Sequence, residues 1–109
     1  MTKGDTVKMA ELYAINCRDK PNSKEKRMAG LKAHLAHMDE VFDRVSIACP
    51  LLDEDGDFAG SMLVISATDK ADAQAFIEQD PYYAANIWDS IQIDRVGLTA
   101  GSWVGGKPW

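Results

Sequence analysis

The chain reads as an α+β domain of the ferredoxin-like type, with the order β-α-β-β-α-β around an antiparallel sheet. Three observations predict it. Two apolar runs, Val45–Leu52 and Phe58–Ala67, stand on either side of Asp55-Gly56, a strong short-range signal for a β-hairpin. Helical segments flank that hairpin, residues 24–42 before it and residues 70–79 after it. Alternating, strand-forming runs open and close the series at residues 11–18 and Trp88–Val96.

Each element has its local reason. Residues 1–9 are polar, carry no motif, and are expected to form a flexible N-terminal extension to a domain spanning residues 10–97. Leu12, Tyr13, Ile15 and Cys17 supply strand formers to the first run, which Lys20-Pro21-Asn22-Ser23 breaks, with Ser23 placed to cap the helix that follows. In that helix Met28, Leu31, Leu35, Met38 and Phe42 fall within roughly 80° of one another at 3.6 residues per turn. Such a stripe is expected to face a core. His34 lies roughly 75° from its centre and borders it, whereas His37, roughly 135° away, is expected to point to solvent. Arg27, two turns before His34, is rotated from it by only about 20°.

The acidic loop Asp53-Glu54-Asp55-Gly56-Asp57 invites a calcium reading, but its glycine comes too early for an EF-hand and Val64 stands where the bidentate glutamate belongs, so it reads as a turn. The third strand carries apolar residues on both faces, Met62 and Val64 on one, Leu63 and Ile65 on the other. Helices on one side leave the second face open, and the simplest cover is another copy of the chain, giving a homodimer through the open sheet face. The second helix starts near Asp69 and is expected to turn Ala71, Ala75 and either Phe76 or Ile77 inward. Asp80 and Pro81 suit the cap and first position of a short helical segment running to about Ile87, and the last strand turns Ile91 and Ile93 inward. Residues 98–109 form a glycine-rich tail with two indoles, Trp103 and Trp109, whose apolar area favours packing on a partner subunit.

Composition narrows the class of function. With 109 residues there is one modest core and too little chain to enclose a deep cavity comfortably unaided, so a pocket is expected to need a second chain. Hydrophobic residues make up 46% and charged ones 27%, the balance of a soluble globular protein. No apolar run approaches the roughly 20 residues that span a bilayer, and the polar start lacks the core of a signal peptide, so a cytoplasmic protein without a membrane partner is expected. A net charge of −5 with dispersed basic residues argues against nucleic acid as a partner. Cys17 and Cys49 lie in apolar strand segments and read as buried reduced thiols. A Cys2His2 zinc site with His34 and His37 is formally available but lacks the close thiol pair of structural zinc sites, so no metal is expected. The absence of a nucleotide-binding glycine loop or a nucleophile elbow implies no cofactor.

Lys26-Arg27, Ala33-His34-Leu35-Ala36-His37, Gly60-Ser61, Ala71-Asp72-Ala73 and Asp80-Pro81-Tyr82, in that order and spacing, resemble the YCII-related (YciI-like) family of small bacterial proteins. Members usually carry proline before the Ala-His-Leu motif, where this chain has Lys32, which leaves the helix more regular. The resemblance implies a ferredoxin-like fold that pairs into a dimeric α/β barrel, and a histidine/aspartate active site. Carried over residue by residue, the catalytic pair is His34 and Asp80, with Ser61, Arg27 and Tyr82 as substrate-binding candidates.

Each of these residues also has a plainer reading. His34 read from periodicity alone is a boundary histidine satisfied by a carbonyl, and the family motif reverses that preference. Asp80 is a helix cap, a role that leaves its second oxygen available. Arg27 pairs with a surface acid, and Ser61 is a small residue permitting close packing. An imidazole of ordinary pKa about 6.5 held by a carboxylate is a proton shuttle near neutrality, suited to isomerisation or to elimination of a small organic acid or aromatic-derived ligand. The rival readings are a non-catalytic ligand-binding or interaction module and a cofactor-free monooxygenase of the same architecture.

Overall fold

The computed structural model describes residues 10–108, so the expected N-terminal extension, residues 1–9, and Trp109 lie outside the described residues. Strand β1 (Glu11–Asp19) leads to helix α1 (Lys24–Glu40), hairpin strands β2 (Val45–Leu52) and β3 (Phe58–Ala67), helix α2 (Lys70–Glu78), the short helix α3 (Pro81–Ala84) and strand β4 (Trp88–Val96). The sheet has the order β2-β3-β1-β4, with every neighbouring pair antiparallel. This is the ferredoxin-like α+β fold. Across it Arg95 stands opposite Tyr13, Tyr13 opposite Ile65, and Ile65 opposite Val45. The start of β2 and the end of β4 therefore lie at the same end of the sheet, on its two outer edges.

The hairpin is set by Asp53, whose carboxylate accepts the backbone N–H groups of Asp55 and Asp57 at 2.9 and 3.0 Å, while Gly56 takes the left-handed conformation at φ 83°. Asp69 caps α2 by accepting the Asp72 N–H at 2.8 Å, and Asp80 caps α3 by accepting the Tyr82 N–H at 2.9 Å. Ser23 stands at the expected cap position of α1, but its hydroxyl donates to the Lys20 carbonyl at 2.6 Å and makes no cap bond.

One sheet face holds the core: Tyr13, Ile15, Cys17, Leu63, Ile65 and Ile93 are buried under Phe76 and Ile77 of α2. In α2 the inward alanine is Ala73, while Ala71 and Ala75 are exposed, because the turn that carries Phe76 and Ile77 inward also carries Ala73. The opposite face carries Leu12, Ala14, Ile47, Met62 and Val64, all half-buried.

Of the apolar stripe of α1 only Met38, half-buried, packs against the core. Met28, Leu31, Leu35 and Phe42 are all exposed, and the one fully buried residue of α1 is Arg27. Helix α1 packs on α3, at Gly30, where an added Cβ would lie 3.2 Å from the Tyr82 ring. It stands off the sheet at β2, so Ser46, Ala48 and Pro50 on that strand's helix side are exposed while Ile47, Cys49 and Leu51 on the other side are half-buried. His37 is not a solvated residue either: its Nε2 is buried without a hydrogen-bond partner among the described residues, and its ring lies 6.3 Å from that of Phe76.

Gly60 shows how tightly the sheet is built beside this gap. A Cβ there would sit 2.2 Å from the Cys17 carbonyl oxygen, a backbone atom that cannot swing aside. Gly60→Ala is expected to destabilise the domain by about 1–3 kcal/mol, read as a melting temperature lower by several degrees in thermal unfolding.

Candidate active site

The site is assembled where α1 meets the ends of β1 and α2. Arg27, only 5% exposed, reaches from the first turns of α1 to the last residue of β1. Its Nε donates to Asp19 Oδ2 at 2.5 Å and its Nη2 to Asp19 Oδ1 at 2.9 Å, a bidentate pair buried on both sides. Nη2 also lies within donor reach of the Gly60 carbonyl at 2.9 Å and Ser61 Oγ at 3.0 Å. Burial acts to lower the Arg27 pKa, but the Asp19 hydrogen bond and charge outweigh it and hold the value above its ordinary level. The guanidinium is thus permanently charged, and that charge is neutralised by Asp19.

Helix α3 supplies the other half. Asp80, 2% exposed, places both carboxylate oxygens against His34 Nδ1, at 2.9 and 3.0 Å, while Oδ1 also accepts the Tyr82 N–H. An ionised carboxylate only accepts, so Nδ1 of the neutral imidazole carries the proton and Nε2 holds the free lone pair. Tyr82 stacks flat on His34, with ring centroids 4.2 Å apart at 6°, and its hydroxyl donates to the Arg27 carbonyl at 3.2 Å. Burial raises the Tyr82 phenol above its ordinary pKa against the opposing Arg27 charge, which keeps that hydroxyl a donor. The structure therefore brings His34, Asp80 and Tyr82 into one cluster, and Arg27 with Ser61 into a second that touches it through Tyr82.

Both clusters border a cavity of about 700 Å³ between α1 and the β2–β3 hairpin. Its wall is mostly apolar, with Leu31, Leu35, Met38 and Phe42 of α1 facing Leu63 and Phe58. The α1 stripe thus faces the sheet across open space. Its polar side chains are His34, Asp80, Asp39, Tyr82, Ser46, Ser61 and the paired Arg27. Ser61 Oγ accepts from Arg27 and keeps its own proton to donate. Trp88 also lines the cavity, and its indole N–H is buried with no acceptor among the described residues. Cys17, on the same sheet face, is pushed up to about 12, first by burial and then by the charges of Asp80 and Asp19, with Arg27 opposing; it is a protonated thiol at neutral pH. Cys49 sits on the opposite face of the sheet, so the two cysteines share no ligand set with the histidines. Among the described residues no group of three or more His, Cys, Asp or Glu is gathered to hold a metal.

Two participants, Asp19 and Trp88, escaped the sequence reading. An acid at a strand end before a Lys-Pro turn is ordinary, and nothing in its spacing announces the arginine eight residues on. Trp88 read only as the opening of a strand.

This geometry defines an α+β domain of the dimeric α/β barrel type, with a carboxylate-held histidine on the wall of an apolar cavity. The chain belongs to the YCII-related family, whose model matches residues 11–96. It is 32% identical over 90 residues to Protein YciI of Escherichia coli O6:H1, the match covering 75% of this chain and 92% of the relative, and it is equally similar to Protein YciI of Shigella flexneri. Among solved structures it resembles the 5-chloro-2-hydroxyhydroquinone dehydrochlorinase TftG of Burkholderia phenoliruptrix AC1100, in complex with 2,5-dihydroxybenzoquinone. That likeness has a TM-score of 0.71 at 25% identity over 83% of this chain and 95% of the other. No helix among the described residues is long and apolar enough to cross a membrane.

Breaking the buried ion pair tests the scaffold of the site. Arg27→Met leaves the Asp19 carboxylate buried without its partner, and is expected to cost about 3–5 kcal/mol of stability in denaturant unfolding.

Proposed function

We propose that the protein is a cytoplasmic homodimer that moves protons without a cofactor, an isomerase or lyase acting on a small apolar molecule that bears carbonyl or hydroxyl oxygens. The observation that carries this reading is the His34–Asp80 pair at the cavity wall, which leaves Nε2 as the base. Nε2 takes a proton from a carbon or hydroxyl conjugated with a carbonyl, and the electron pair left behind passes to the carbonyl oxygen. The Asp80 carboxylate stabilises the imidazolium that forms. The Ser61 hydroxyl is the donor suited to the developing oxyanion. Return of the proton to another carbon completes an isomerisation. On a halogenated polyphenol the histidine returns the hydroxyl proton to the ring carbon that bears the halide, giving the keto tautomer, and loss of a second hydroxyl proton then expels the halide, so that hydrogen halide is lost in sum and a quinone is left.

The charge balance favours a neutral ligand over a carboxylate. Asp19 already neutralises Arg27, so the wall offers no unpaired cation to an acid. Arg27 then acts by holding Ser61 in place, and Tyr82 by fixing the plane of the imidazole. The dehydrochlorination named for TftG is a proton-transfer chemistry open to such a dyad, and a cavity of about 700 Å³ has room for a single ring. The homodimer reading draws support from the half-buried apolar sheet face and from the dimeric type of the fold.

The test uses 5-chloro-2-hydroxyhydroquinone as probe, with chloride release as the readout. His34→Gln is expected to lower the rate by about 100- to 10,000-fold while thermal unfolding stays near wild type. Asp80→Asn, which keeps a competent helix cap, is expected to lower it as well. Probe binding that persists with no turnover in wild type and no sensitivity to His34→Gln would instead make the protein a ligand-binding module.

A further inference from the structure

We infer that residues 98–108 form a finger that closes the cavity of the second subunit, with Trp103 of one copy seated on the α1 stripe of the other. This rests on the homodimer reading above and goes beyond it, because it makes each site incomplete without its partner.

The finger is preformed. Gly101 and Gly106 exchange backbone hydrogen bonds at 2.8 Å in both directions, and a single 3-10 turn, Ser102–Val104, fills the loop between them. Gly101, Gly105 and Gly106 take positive φ values of 141°, 99° and 97°, a backbone path closed to most side chains. The result is a structured tip that holds an indole 84% exposed, with Val104 and Leu98 exposed beside it. An indole contributes roughly 150–250 Å² of surface, an unusual thing to display on an ordered loop.

The cavity mouth is the matching surface. Phe42, 69% exposed, and Leu35, 53% exposed, sit on its α1 side, with exposed Phe58 across from them. Charge matches as well: residues 97–108 contain no acid and carry Lys107, whereas the end of α1 and the turn after it carry Asp39, Glu40 and Asp43.

Within one chain the finger hangs from the wrong edge. It leaves β4, while the mouth lies over β2, three strand spacings or about 14 Å across the sheet. The register nevertheless puts the end of β4 and the start of β2 at the same end of the sheet. Pairing two such sheets through their open faces, about a two-fold axis along the strands, sets the β4 edge of one copy beside the β2 edge of the other and preserves strand direction. The finger then emerges next to Phe42 and Val45 of the second copy.

Disulfide trapping in the full chain tests this. Trp103→Cys is combined with Phe42→Cys, and separately with Leu35→Cys, each in a Cys49→Ser background, at positions exposed enough to leave folding intact. Sedimentation is read first, then mobility on a non-reducing gel after mild oxidation. The expected result is a dimer in which at least one double variant becomes mainly a covalent dimer while every single variant does not. A dimer whose double variants stay uncrosslinked, or form the disulfide within one chain, overturns the finger and leaves the homodimer standing. So does a dimer that Trp103→Cys crosslinks by itself, since the two tips would then meet each other. A monomer at all concentrations overturns the pairing and the finger together. Chloride release by the His34 dyad is measured separately and fails or survives on its own.

Discussion

One buried carboxylate holds the working parts of this molecule together. Asp80 ends the connection from α2, caps α3 through the Tyr82 N–H, and faces His34 of α1 with both oxygens. A carboxylate 2% exposed is tolerated only when its lone pairs are met, and here a backbone donor and an imidazole meet them. The same contacts fix the imidazole by its Nδ1, with the Tyr82 ring flat against its face. Capping α3 and holding His34 are not competing uses of Asp80: one carboxylate meets both the Tyr82 N–H and the imidazole.

The second constraint is the stand-off of α1. Two anchors hold that helix, Arg27 on Asp19 at one point and His34 on Asp80 at the other, and neither draws it down onto β2. Gly30 lets α1 close on the Tyr82 ring, which tilts its contacts toward α3. An apolar stripe that would seal a core in another fold is left facing the sheet across about 700 Å³ of space. In a domain of 109 residues such a void removes burial that a small core needs, which gives the cavity the character of a built site.

Much of this was legible in the residues and some was not. The hairpin at Asp55-Gly56, the bounds of β2, β3 and β4, and the caps at Asp69 and Asp80 follow from local backbone chemistry, and local chemistry is what a sequence displays directly. The four-stranded antiparallel order follows from chain topology. The fate of the α1 stripe does not, because periodicity says which side chains share a face and nothing about whether that face meets protein or space. His37 shows the same limit: its angle from the stripe placed it outward, but the helix contacts α2 on that side. The Arg27–Asp19 pair joins a strand end to a helix start across a Pro turn, and its geometry exists only once β1 and α1 are placed. His34 and Asp80, 46 residues apart, came from the family resemblance; the residues alone favoured a histidine satisfied by a carbonyl and a plain cap.

The central claim is that Asp80 holds the His34 proton on Nδ1 and leaves Nε2 as the acceptor facing the cavity. Nitrogen-15 NMR of the imidazole rings, followed over a pH series to the neutral-ring limit, reads this directly. The account predicts that His34 is in the Nδ1–H form, and that Asp80→Ala shifts it toward the tautomer mixture of a free imidazole. A His34 ring found in the Nε2–H form in the wild-type protein would contradict it.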